Sequence, residues 1–401
     1  MVNELYHKLK SFFLKSKMEA KIDGDFNSAE EIHLSSTDFY EENDLVYFKN
    51  LNAYGAFKYP IVKQLFNSEN ESIGVSNVAL EINDIYFSKN EDIHKMNKKA
   101  AILHLTFLSS KLHYLNNDYT HFLFNKFLTN LPTKKEINLV DFLVNPLVLI
   151  NILKEYDLLD TIFQDLNPEN DSFSFDYAIN KIKEYFEDTS KLESVIKKFL
   201  EQGGIIPAKM IDFLNDLETE NPIEIAQLPN FFKSIIFVAV ETTSSFLSNF
   251  IFTIFQKYPE FLLNKDVEKL HQLSNELLRI NPPVPFIFRT VWEDTVFNDV
   301  HLKKGDQLIL FVGSANMDPN YFDEPDLIKF NRNNKHLSFG GGAYTCIGRF
   351  ASFRMALNIF DYLAPLSNNF SFLEKKPRFY FQNAILKIPL NIKYYDSFEG
   401  N

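Results

Sequence analysis

The chain has 401 residues, and a hydrophobic content of 45% is ample for a sizeable core. Its 41 basic and 53 acidic side chains give a net charge of −12, which argues against a general nucleic-acid binder. The single cysteine excludes an intramolecular disulfide and a four-thiolate zinc site, and 42 phenylalanines predict an interior of large flat side chains.

The first stretch, Met1–Ala20, alternates charge with short apolar pieces and matches neither a signal peptide nor a membrane span. A soluble, cytoplasmic protein is expected. Residues 1–65 mix turn signals with short aromatic runs, which predicts an irregular cap with a few strands. From about 92 to 215 the pattern is helical, with segments His94–Lys111, Asp141–Tyr156 (containing Pro146), Phe175–Phe186, Leu192–Gln202 and Ala208–Glu218. Pro229–Tyr258 is apolar almost all round and predicts a long, central, buried helix. A second helix, Lys265–Ile280, ends at Asn281-Pro-Pro. Strand-like runs follow at Phe286–Val291, Val296–Phe297 and Gln307–Val312, then a helix over Ile347–Leu363, and Phe379–Tyr395 alternates like a terminal hairpin.

The cysteine sits in Phe339-Gly-Gly-Gly-Ala-Tyr-Thr-Cys346-Ile-Gly348. Such a thiol is a buried spectator, a nucleophile, or a single thiolate ligand to a metal cofactor. The neighbouring residues favour the ligand. Three glycines let backbone pass close to a flat object and aim amide N–H groups at the sulfur, and Gly348 lets a helix start lie against the same object. Amides and a helix N-terminus both stabilise a thiolate.

Arginine is scarce: the six stand at 279, 289, 332, 349, 354 and 378, with none in the first two thirds of the chain. Where lysine carries most positive charge, a retained arginine hints at a planar, bidentate fork. Glu276-Leu-Leu-Arg279 puts opposite charges three apart on one helix face, a pattern that is usually a solvated bridge. Glu241 and Thr242 interrupt the long apolar helix, where an acid and a hydroxyl need partners. Thr bonding back to the preceding turn, with Glu241 reaching solvent, is the plain explanation.

The cysteine stretch resembles the haem-binding signature of the cytochrome P-450 superfamily, with Phe339, Gly340, Gly342, Cys346, Ile347 and Gly348 in place. Tyr344 stands where the family usually has His or Arg. The resemblance implies a mainly α fold, a single domain over residues 1–401. It would be a helical prism with small β-sheets, with residues 66–401 as the haem-binding body and haem between a long distal helix and the cysteine loop. It implies haem b (iron protoporphyrin IX) with Cys346 as axial iron ligand. Phe339, Gly340, Tyr344 and Gly348 would line the cofactor, while His94, Lys98 and Arg289 would meet its propionates. Glu276, Arg279 and Arg332 would form an ionic lock beneath the loop. Glu241 and Thr242 would relay protons, although Val238 and Ala239 replace the small residues usual before them. The substrate pocket would draw on Asn70–Asp92, Ser234–Thr242, Val284–Phe288 and Gln382–Ile385, with Val238, Val284, Phe286 and Ile287 making it apolar.

The expected activity is that of a haem-thiolate monooxygenase, an oxidoreductase that inserts one oxygen atom of O2 into a C–H bond of a mainly apolar small molecule, in secondary metabolism. The absence of a flavin or iron–sulfur segment implies a separate ferredoxin or flavodoxin with its reductase. Lys95, Lys99, Lys335, Arg349 and Arg354 are the basic candidates for that contact. Two alternatives stand beside this expectation: oxidation or cross-linking of an amino acid or peptide on a carrier protein, and a haem-binding sensor or carrier without turnover.

Overall fold

The computed structural model describes residues 21–22, 24–25, 43–48, 51–67, 72–76, 136–155, 190–191, 194, 228–333, 335–342, 345–346, 348–373, 380–382 and 385–394. The predicted helices His94–Lys111, Phe175–Phe186 and Ala208–Glu218 lie outside them, as does most of Leu192–Gln202. The described elements group into two compact units.

The first unit is built on a five-stranded sheet in the order Val46–Phe48, Ala53–Ala56, Gln307–Leu310, Ile287–Val291, Ile73–Val75. Gln307–Leu310 runs parallel to Ala53–Ala56 and antiparallel to Ile287–Val291, with Leu308 opposite Arg289. Side chains alternate across a strand, so the sheet serves two cores. On one face Leu308, Leu310 and Val291 pack with Ile61, Val62, Leu65 and Phe66 of the helix Tyr59–Phe66. On the other, Ile309 and Phe311 meet Phe48, Phe57 and Phe286, and Phe57 stacks on Phe311 at a centroid distance of 4.4 Å. The abundance of Phe is therefore used as ring-on-ring packing.

Helix Val267–Ile280 belongs to the same unit and stops before Pro282-Pro283, as its sequence predicts. The strand expected through Val312 ends at Leu310, and Val312–Ala315 forms a helical turn whose amides reach back to Phe311 and Val312.

In the second unit the long helix spans Leu228–Lys257, and Thr243–Ile254 is buried without a break. Val238–Lys257 is apolar enough for a membrane span by length and composition, yet 72% of it is buried inside the protein, as in a core helix. A π-helical stretch Val140–Val144 leads without a break into the helix Asn145–Glu155, and Pro146 stands just past the junction. Helix Arg349–Leu363 runs on into the 3₁₀ segment Ala364–Asn369. The predicted terminal hairpin divides. Tyr380–Gln382 pairs with Ile385–Lys387, as expected, but Asn391–Tyr394 lies between Phe370–Phe372 and Glu136–Asn138. Alternation marks a strand without naming its partner, and here long-range pairing decided.

Candidate functional site

Glu276 and Arg279 occupy successive turns of one helix face, and both are buried, at 4% and 1% exposure. This is no surface bridge. Arg279 grips the carboxylate with its fork, Nε to Oε1 at 2.8 Å and Nη2 to Oε2 at 2.9 Å. Arg332 approaches from the side with Nε at 3.1 and 3.2 Å from the two oxygens, and the Lys329 N–H adds a bond of 3.0 Å. Burial alone would raise the Glu276 pKa and is the largest influence. The Arg279 hydrogen bonds, the Lys329 amide and the two cations together outweigh it, and the carboxyl is held below its ordinary range. The remaining Arg279 donors hold the carbonyls of Asn316, Pro325 and Leu327 at 3.1, 2.7 and 3.0 Å. Arg332 binds the Asp323 carbonyl at 2.8 Å. Two arginines thus tie one helix to the loop 316–332.

That loop continues into the cysteine segment. Asn316, fully buried, accepts the Leu337 N–H at 2.7 Å and donates to Ser338 Oγ at 2.9 Å, and Ser338 donates to the Leu278 carbonyl at 2.6 Å. Beyond this stem, Gly340 and Gly342 adopt positive φ of 68° and 59°, which favours glycine. A Cβ on Gly341 would lie 2.9 Å from Asn67 Oδ1, and one on Gly342 2.9 Å from the Phe66 carbonyl. The loop therefore rests on the end of helix Tyr59–Phe66 as bare backbone. The Cys346 N–H closes it on the Phe339 carbonyl at 2.7 Å, and Cys346 itself is exposed. Gly348 is the N-cap of helix Arg349–Leu363.

Arg289 lies on the first core's face of the sheet, 5% exposed, its guanidinium 5.6 Å from the centre of the Phe66 ring. Phe66 is thus shared: its ring faces the buried Arg289 guanidinium, while its backbone, with Asn67, meets the glycines of the cysteine loop.

In the long helix, Val238 is 51% exposed, and Glu241 and Thr242 are half-buried. These positions, spaced i, i+3 and i+4, make one accessible face ahead of the buried run. Thr242 Oγ donates to the Val238 carbonyl at 2.7 Å, the back-bond expected of a mid-helix threonine.

The other expected site residues have varied placements. His94, Lys98 and Tyr344 lie outside the described residues, as do Lys95 and Lys99. Phe286 is buried at 4% in the second core, whereas Ile287 packs against the first, so the two neighbours face opposite sides of the sheet. Val284 is half-buried, and Lys335 and Arg349 are exposed. Sequence reasoning missed Asn316, Asp318, Ser338 and Phe66. The first two were visible as polar residues in the run Val312-Gly-Ser-Ala-Asn316-Met-Asp318, but nothing local named their partners.

Comparison with known proteins bears on all of this. The family model for cytochrome P450 matches residues 265–395. Over 117 residues the chain is 33% identical to the polyketide biosynthesis cytochrome P450 PksS of Bacillus subtilis, covering 28% of this chain and 29% of that one. The chain spans 29–44% of the length of the first curated relatives it matches. The fold extends much further. CYP109E1 from Bacillus megaterium, solved with testosterone, matches 90% of this chain and 99% of its own with a TM-score of 0.71 at 18% identity. P450BioI, solved with an acyl carrier protein bearing hexadec-9Z-enoic acid, matches 91% of this chain and all of its own with a TM-score of 0.66 at 17% identity. Residues 265–395 match the cytochrome P450 family model, and over 90% of the chain the fold is the one seen in solved cytochromes P450.

Proposed function

We propose that the protein is a cytoplasmic haem-thiolate monooxygenase that hydroxylates, or otherwise oxidises at a C–H bond, a mainly apolar small molecule. The observation that carries this reading is the exposed Cys346 on a glycine-built loop, closed on the Phe339 carbonyl and anchored beneath by the Glu276–Arg279–Arg332 lock. These residues suit a haem. The thiol is accessible, the glycines let its loop seat as bare backbone on Phe66 and Asn67, and buried Arg289 offers a fork for a propionate. Bound haem b would supply dioxygen activation and oxygen transfer. The chain's own residues would bind and orient it: Cys346 as thiolate ligand, Phe339, Gly340, Tyr344 and Gly348 beside it, and Arg289 with His94 and Lys98 at the propionates. Glu241 and Thr242 deliver protons; the threonine hydroxyl is fixed by the Val238 carbonyl, and the carboxyl stands one residue away. Phe286 packs in the second core and Ile287 against the first, which leaves accessible Val238 and half-buried Val284 as the apolar residues for substrate contact.

Two electrons per turnover come from a separate ferredoxin or flavodoxin with its reductase, since one oxygen atom enters the product and the other leaves as water with two protons. A substrate held on a carrier protein is the second reading. PksS is named for polyketide biosynthesis, and P450BioI was solved with an acyl carrier protein, which makes a tethered acyl chain a candidate to test beside unattached compounds.

The test is to supply haem during expression, reduce the purified protein and add carbon monoxide. A strongly red-shifted Soret band, lost in Cys346→Ala, supports thiolate ligation; its absence from the haem-replete wild type overturns it. Turnover is then followed with surrogate redox proteins over a panel of compounds and acyl carrier proteins. Lower product yield per electron in Glu241→Gln and Thr242→Ala supports proton delivery, and unchanged yield in both removes that role. A thiolate-type spectrum with no turnover under any condition would favour a sensor or carrier.

A further inference from the structure

We propose that Asn316 is a positioning residue for the Cys346 thiolate, coupling the buried ionic lock to the stem of the cysteine loop. This rests on the haem-thiolate reading above. Asn316 is 0% exposed, and its polar groups reach in two directions. Its carbonyl accepts Arg279 Nη1 at 3.1 Å, and that guanidinium is clamped on Glu276. Its side chain reaches the loop, with Oδ1 accepting the Leu337 N–H at 2.7 Å and Nδ2 donating to Ser338 Oγ at 2.9 Å.

Ser338 passes the constraint on. Its hydroxyl donates to the Leu278 carbonyl at 2.6 Å, so the stem is fastened to the Glu-x-x-Arg helix beside Arg279 itself. The next residue, Phe339, offers the carbonyl on which the Cys346 amide closes at 2.7 Å. From Asn316 to the cysteine amide the path is therefore one side chain, one hydroxyl and one peptide unit. A carboxamide carries its acceptor and its donors on two separate atoms, so it serves the Leu337 N–H and the Ser338 hydroxyl together without a charge to bury. A leucine of similar volume would break both bonds and leave the Leu337 N–H buried without its acceptor.

The experiment compares wild type, Asn316→Leu, Ser338→Ala and Ser338→Thr, with Leu302→Ala as a destabilised core control (Leu302 is 2% exposed and packs in the first core). Hydrogen exchange is measured on the purified protein at the Gly340 and Cys346 amides, neither of which bonds to Asn316. The share of ferrous carbon monoxide complex with the thiolate-type Soret band is measured alongside. Asn316→Leu is expected to speed exchange at both amides about tenfold or more, as loss of an anchoring hydrogen bond implies. It should also lower the thiolate-type share. Ser338→Ala should do the same, Ser338→Thr should restore both, and Leu302→Ala should lose stability with the thiolate-type share unchanged.

Wild-type exchange and an unchanged thiolate-type share in folded Asn316→Leu would overturn the proposal. So would a thiolate-type share in Leu302→Ala that falls as far as in Asn316→Leu. Where Asn316→Leu does not fold, the serine pair decides: Ser338→Ala indistinguishable from wild type overturns the proposal, and a loss rescued by threonine supports it. A wild type without the thiolate-type band defeats the haem-thiolate reading instead, while exchange still reports whether Asn316 holds the loop.

Discussion

Asp318 caps a helix that begins 259 residues earlier in the chain: its Oδ2 accepts the backbone N–H of Tyr59 at 2.9 Å. Helix Tyr59–Phe66 has no side-chain cap of its own, and Pro60 contributes no amide, so the distant carboxylate does a local residue's work. Its Oδ1 accepts the Asn320 N–H at 2.9 Å, and Tyr59 Oη donates to the Lys335 carbonyl at 2.6 Å. Burial, then Tyr321, push the Tyr59 pKa up and keep that phenol a donor. Two residues apart, Asn316 and Asp318 thus hold the stem of the cysteine loop and the helix on which its glycines rest.

Asp318→Ala removes two charge-assisted bonds, one of them to the buried Tyr59 amide, and should cost about 1.5–3 kcal/mol. Asp318→Asn, which keeps one acceptor, should cost less. Urea unfolding followed by the fluorescence of Trp292, the chain's one tryptophan, measures both.

Glu276→Gln should destabilise by about 3–5 kcal/mol at neutral pH, because two cations then remain around a neutral group. The carboxyl is held below its ordinary value of 4.5 in the folded protein. Its contribution is therefore complete above that value and is lost as pH falls through the lower folded value. Denaturation curves for wild type and variant should keep a constant gap from pH 7 to pH 5 and converge only below about pH 4.5. A gap that closes above pH 5 would contradict this.

Gly342→Ala and Gly305→Ala both place a side chain at positive φ, 59° and 97°, and each should cost about 1–2 kcal/mol for the backbone alone. Only at Gly342 does the new Cβ meet a neighbour, 2.9 Å from the Phe66 carbonyl, while nothing lies within 4 Å at Gly305. Gly342→Ala should thus be the less stable and should lower the thiolate-type share of the carbon monoxide complex, with Gly305→Ala leaving that share unchanged.

Arg289→Ala should speed haem loss to an acceptor protein by about 10–100-fold, the equivalent of one charge-assisted hydrogen bond of about 1.5–3 kcal/mol. Arg289→Lys keeps the charge without the fork and should fall between. Equal transfer rates for the three proteins would remove Arg289 from the cofactor's contacts.

Local pattern determined much of this protein. The glycine-flanked cysteine, the Glu276-x-x-Arg279 spacing, the proline stop after Ile280 and the apolar run of the long helix are each written within a few residues, where periodicity and backbone freedom speak directly. Only tertiary structure decided that Glu276 is buried between two arginines, that Asn391–Tyr394 joins a sheet with Glu136–Asn138, and that Phe286 and Ile287 face different cores. The hold of Asn316 and Asp318 on the cysteine loop and on helix Tyr59–Phe66 belongs with these. Such choices depend on hydrogen bonds and packing between residues tens to hundreds of positions apart, and a buried polar side chain declares its need for a partner without saying where in the chain that partner stands.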